Sequence, residues 1–180
     1  MLRKIAIAFV AIGLLAVAFV ATRPAEFSVQ RSAGIEAPPA AVYALVSDFR
    51  AWAGWSPWEK LDPAMQKTYS GAERGEGASY AWSGNSAVGE GRMTIVESVP
   101  DERVVIRLEF LKPYASTSET RFEIAPRGAG SAVTWSMKGE NDFLGKLASL
   151  FVDVEAMIGA SYDEGLSALK RIAESAQPAS

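Results

Sequence analysis

Three side chains in this sequence combine an ionisable group with a setting that could change its acidity. Glu90 lies in VGEGRM, between Gly89 and Gly91. Two glycines inside a strand mark a bulge or a close backbone approach. Glu90 therefore has two readings: a polar anchor or proton acceptor turned inward, or half of an exposed ion pair with Arg92, two residues on and on the same face. Tyr80 lies in ASYAW, where alternation puts Tyr80 and Trp82 on one face. Asp153 borders an apolar stripe on a C-terminal helix, while Glu155, two residues on, does not face it, so the two make a poor metal pair. The chemistry open to Glu90, Tyr80 and Asp153 is proton transfer, and it requires burial to shift their pKa values. The chain has no His and no Cys. Their absence excludes the Ser-His-Asp triad, thiol nucleophiles, disulfides and the commonest transition-metal ligands. No metal and no cofactor is expected; a metal would have to be a hard, oxygen-bound ion.

Apolar chemistry is far better supplied. WAGWSPWEKLDP puts Trp52, Trp55 and Trp58, three of the five tryptophans, within seven residues. Trp52 and Trp55 are three apart and can share a helix face, whereas Trp58, beyond Pro57, cannot continue that stripe. Further along, Tyr80, Trp82, Met93, Phe110, Phe122, Trp135, Met137 and Met157 add aromatic rings and adaptable thioethers. Each of these has a plain reading as core. Together with the tryptophans they also suit the wall of a cavity for a flat or flexible hydrophobic ligand.

The elements that must position these residues follow from periodicity. At 180 residues, 49% apolar and 22% charged, the chain has room for one domain and something extra. Its net charge is -3, and no stretch concentrates Lys and Arg, so no nucleic-acid partner is expected. Residues 1–25 stand apart. Ile5 to Ala21 is an uncharged apolar run preceded by Arg3 and Lys4. It reads as a retained N-terminal membrane helix, with a cleaved signal segment as the alternative. The basic residues before it would keep the N-terminus in the cytoplasm and put the domain across the inner membrane as a single-pass protein, or free in the periplasm after cleavage. The membrane is then an expected partner through that helix.

Residues 26–176 read as the domain, and 177–180 as a disordered tail. Phe27 to Gly34 alternates as a first strand. Pro38-Pro39 starts a short helix carrying Val42, Leu45 and Val46, and a second helical piece runs from Phe49 to about Trp55. Six strand-like segments follow: Gln66–Ser70, Ala78–Trp82, Val88–Glu97, Arg103–Leu111, Ser116–Pro126 and Ala132–Lys138. One apolar and one polar face per strand predicts a single antiparallel sheet covered on one side. Asp142 is placed to cap a helix over Phe143 to Ala176, with Leu147, Leu150, Phe151, Val154, Ile158, Tyr162, Leu166, Leu169 and Ile172 as its apolar stripe.

This order, with APPAAVYALVSDFRAWAGWSPWEKLDP, TYSGAERGEGASYAWSGN, VGEGRMTIVESVPDERVVIRLEF, TRFEIAP, VTWSMKGEND and DVEAMIGASYDEGLSALK, resembles the START-like, or SRPBCC, superfamily, and most of all its polyketide cyclase/dehydrase-like branch. The resemblance spans Phe27 to Ile172. It implies an α+β helix-grip (START/Bet v 1-like) fold: a curved antiparallel sheet of about seven strands wrapped on a long C-terminal helix, with a deep cavity between them. It places the tryptophan cluster near the cavity mouth. The function expected from these readings is binding of a hydrophobic small molecule or lipid by a membrane-tethered domain. One alternative is a cyclase or dehydratase acting through Glu90, Tyr80 or Asp153. Another is a protein-interaction module presenting an exposed tryptophan patch.

Overall fold

The computed structural model describes residues 2–176, apart from the side chains of residues 2, 5–8 and 16; the tail expected at 177–180 lies outside the described residues. Seven strands form one antiparallel sheet: β1 (Glu26–Ile35), β2 (Gln66–Gly71), β3 (Ala78–Ser83), β4 (Glu90–Val99), β5 (Arg103–Lys112), β6 (Ser116–Arg127) and β7 (Gly130–Glu140). Their order is β1-β7-β6-β5-β4-β3-β2, so β1 and β2 are the two edges although they are neighbours in sequence. The chain passes from β1 to the far edge through helix α2 (Pro39–Val46) and two 3-10 turns, Ala51–Gly54 and Pro57–Lys60. The register between β4 and β5 shifts twice, with Leu111 of β5 as the extra residue at Glu90/Gly91 and Val96 of β4 as the extra residue at Ile95/Glu97. Bulges bend a strand and increase its twist, which lets one face of the sheet wrap a helix.

That helix is α4 (Val154–Ser175), which lies against β1 and the second 3-10 turn. It buries Tyr162, Leu166, Leu169 and Ala173 against the sheet, at three- and four-residue steps. The small residues on this face allow close packing. A Cβ on Gly165 would lie 2.7 Å from the Trp135 ring and 3.2 Å from Pro57 Cδ, so Gly is what lets α4 approach. Trp135 and Tyr162 then stack at 3.9 Å with planes 10° apart.

The single helix expected over Phe143 to Ala176 is two. Helix α3 (Phe143–Ala148) is capped by Asp142, whose carboxylate accepts from Gly145 N at 2.7 Å. A second start follows at Asp153, which accepts from Ala156 N at 3.0 Å. A carboxylate at an N-cap satisfies an orphan amide that a continuous helix would have bonded to its own carbonyl. The apolar residues before the second cap find no core: Phe151 is 82% exposed.

Helix α1 (Leu2–Ala21) precedes β1. No helix among the described residues is long and apolar enough to cross a membrane. This overturns the N-terminal membrane helix and the inner-membrane, single-pass placement expected from residues 1–25. Arg3 and Lys4 occupy the first turn of α1, which leaves 17 uncharged residues, Ile5 to Ala21. At ~1.5 Å per residue these reach about 25 Å, short of a hydrocarbon core of about 30 Å.

Candidate functional site

The last carbonyls of an α-helix have no partner within it. At the end of α2 two of them are met by tryptophans. Trp52 Nε1 donates to Val46 O at 3.1 Å, and Trp55 Nε1 donates to Leu45 O at 3.3 Å. The 3-10 turn puts both indoles on one side, with their centroids 4.6 Å apart. Both side chains are buried, and Trp55 is closed in by Phe122 and Trp135 at 5.9 and 5.5 Å. Much of the tryptophan cluster is therefore a plug that ties α2 to the sheet. Trp58 departs from it, as the intervening proline predicts. It lies in the second turn, edge-on to Trp135 at 5.8 Å and to Tyr162 at 6.2 Å, and it is only half-buried.

Between the sheet and the N-terminal half of α4 is a cavity of about 240 Å³. Its wall is apolar almost throughout. Tyr80 and Trp82 come from β3, Met93 from β4, Leu108 and Phe110 from β5, Trp135 and Met137 from β7, and Met157 and Ile158 from the first turns of α4. Inward-facing positions alternate along each strand. Cross-strand register then sets Tyr80 opposite Met93 and Met93 opposite Leu108 in one row. Trp82 lies opposite Gly91, and a side chain at Gly91 would collide with the indole. The glycine is thus the recess that receives Trp82, whose Nε1 donates to Val88 O at 2.9 Å.

One charged group lines this cavity. Glu59, in the second 3-10 turn, has a side chain only 11% exposed. Its Oε2 is ion-paired with Lys67 of β2, and its Oε1 accepts from the Tyr80 hydroxyl at 3.2 Å. Burial, followed by the Glu59 charge and the hydrogen bond to it, pushes the Tyr80 phenol far above its usual range. Tyr80 is therefore held as a neutral donor. Burial also pushes the Tyr162 phenol up to about 12, against the lowering effect of its contact with Thr120. A carboxylate and a fixed phenol in an apolar cavity can orient a polar atom, and their geometry also suits proton transfer.

Of the residues expected to line a cavity, Trp52, Trp58, Tyr80, Trp82, Met93, Phe110, Trp135, Met137 and Met157 do so. Trp55 and Phe122 are instead packed behind the wall, Phe122 stacking on Trp135 at 4.8 Å. Glu90 is outside, where Lys112 donates to its Oε1 at 2.9 Å and holds the carboxyl below its usual range. Arg92, the partner expected from the shared face, pairs across the strand with Glu109 at 2.8 Å instead. Asp153 is a helix cap and not part of the wall. The glycines around Glu90 mark close approaches, of Gly89 to Lys112 O and of Gly91 to the Trp82 ring, while the extra residue of the adjacent register shift is Leu111 of β5. Glu59 and Lys67 were missed. The one available signal was a lone acidic residue directly after a cavity tryptophan.

A seven-stranded antiparallel sheet gripping a C-terminal helix over an apolar cavity defines the helix-grip class. Residues 26–174 match the family described as polyketide cyclase / dehydrase and lipid transport, and the chain belongs to that family, within the START-like superfamily. No curated protein matches it. Among solved structures, one from Thermobifida fusca is 23% identical, with a TM-score of 0.61, covering 82% of this chain and 93% of that one. The Aha1 dimer from Colwellia psychrerythraea is 15% identical, with a TM-score of 0.60, covering 84% and 99%. Ara h 8.0201 is 12% identical, with a TM-score of 0.56, covering 83% and 99%. At these identities the likeness is one of fold.

Proposed function

We propose that this protein binds a small hydrophobic molecule in the cavity between the sheet and α4. The observation that carries this reading is an apolar, aromatic- and methionine-rich hollow of about 240 Å³ in the middle of an otherwise packed domain. A domain selected only for stability would fill such a space, because an empty cavity forfeits dispersion contacts and costs stability. Burial of Trp52 and Trp55 counts against the tryptophan cluster as a docking patch for another protein.

A second reading, a cyclase or dehydratase, is favoured by one contact, the Tyr80 hydroxyl on Glu59. Glu59 would take a proton from the substrate, and Tyr80 would hold that carboxylate in place through its hydrogen bond. The chemistry would then centre on Glu59 and Tyr80, with no part for Glu90 or Asp153.

Native mass spectrometry of the full-length chain, followed by solvent extraction, tests the binding reading. A near-stoichiometric adduct that extracts as one apolar compound supports it. A chain that flies empty, and stays empty after incubation with one- and two-ring aromatic compounds, refutes it.

A further inference from the structure

We infer that the ligand carries a neutral hydrogen-bond donor, a hydroxyl on a one- or two-ring apolar body, and that Glu59 receives it. The inference rests on the cavity being a ligand site, as proposed above. It begins from an imbalance in the polar groups of the wall. An ionised carboxylate has about four lone-pair positions and no hydrogen to give. Lys67 occupies Oε2 and the Tyr80 hydroxyl occupies Oε1, which leaves about two positions open on Glu59. Water can fill these in the empty cavity. An apolar ligand expels that water and leaves the carboxylate under-bonded, a cost that a ligand donor removes.

The other polar groups do not ask for the same thing. The Tyr80 hydrogen is committed to Glu59, and the Thr120 and Tyr162 hydroxyls face each other at 3.5 Å. The Trp135 indole N–H, buried and without a partner, remains for an acceptor elsewhere on the ligand, as do Ser56 and the Trp58 indole on the same wall. Charge narrows the class further. Glu59 is already paired with Lys67, so an ammonium would add a second cation, and a carboxylate would face a like charge. Size sets the last limit. About 240 Å³ is below the roughly 300–1,000 Å³ of drug-sized pockets, which suits fused rings and excludes a two-chain lipid.

The test is calorimetric titration of the full-length chain with naphthalene, β-naphthol and β-naphthol methyl ether, three probes with one ring system. Wild type is expected to bind the naphthol about tenfold or more tighter than the ether, the worth of one hydrogen bond to a charged group. In Glu59→Met the preference should collapse to within about threefold, chiefly because the ether, which no longer strands a carboxylate, binds more tightly than it does to wild type. Glu59→Gln, which keeps the shape and a weaker acceptor, should fall between. Equal binding of naphthol and ether by wild type overturns the inference and leaves the apolar-ligand reading standing. A preference that survives in both variants also overturns it, by assigning the donor elsewhere. Failure of all three probes to bind refutes the apolar-ligand reading itself.

Discussion

Trp55→Phe separates the structural part of the tryptophan cluster from the part that faces a ligand. Trp55 is buried, is absent from the cavity wall, and donates its indole N–H to Leu45 O. Phenylalanine has three fewer ring atoms, and at ~0.8 kcal/mol per buried carbon their loss costs about 2 kcal/mol. The hydrogen bond adds about 1 kcal/mol, at the lower end because Leu45 is half-buried and its carbonyl can reach water. The expected destabilisation is about 3 kcal/mol. For a chain of this size it lowers Tm by about 6–12 °C. Urea denaturation should show a lower midpoint with an unchanged slope. Affinity for a naphthol probe should stay within about twofold, below 0.5 kcal/mol. A destabilisation under about 1 kcal/mol would refute the assignment of Trp55 as a plug. So would an affinity loss of tenfold or more at unchanged stability.

Trp58→Ala should behave in the opposite way. It removes a half-buried wall ring, so probe affinity should fall about tenfold while the urea midpoint moves less than in Trp55→Phe. Met93→Trp puts an indole into the cavity. Calorimetry should find no probe binding, with a native circular dichroism spectrum; retained binding would place the ligand elsewhere. Gly165→Ala should destabilise by ~1–3 kcal/mol, because the methyl group meets Trp135 at 2.7 Å, although alanine favours the helix by up to ~1 kcal/mol; a raised urea midpoint would contradict the packing. High pH should unfold the protein through its phenols. Tyr162 titrates near 12 when folded, above an unfolded value near 10, so its stabilising share is present below pH ~10 and is lost as pH rises towards 12. Tyr162→Phe should flatten that part of the stability curve; an unchanged slope would contradict the burial of this phenol.

The strands were legible because their alternation is local. Val104, Ile106, Leu108 and Phe110 recur at every second position, and all four face the core or the cavity. Tyr80 and Trp82 follow the same rule, which is why so much of the wall could be named from spacing alone. The pair Trp55 and Trp52 was not separable in the same way. They share a turn and are both buried against Phe122 and Trp135, and what separates them is the position of the cavity, which reaches Trp52 and not Trp55. Glu59 was hidden for a related reason. Its significance depends on Tyr80 and Lys67, which lie 21 and 8 residues away on strands that no periodicity links to a 3-10 turn. The break at Asp153 escaped because the apolar stripe continues through it in sequence. Leu150 and Phe151 keep helical spacing with Leu147 of α3 but find no core, Phe151 being 82% exposed, so their spacing does not carry α3 on to Asp153.

Methyl-labelled methionine offers the most direct view of the cavity. Met65, Met93, Met137 and Met157, four of the five methionines, line it from four different parts of the chain. Titrating the labelled full-length protein with β-naphthol and following the methyl resonances reads the hollow from its own wall. Saturable shifts of these four signals, with one shared dissociation constant, are what a ligand cavity between the sheet and α4 requires. Four signals unmoved at saturating probe, or shifts that never saturate, would contradict it.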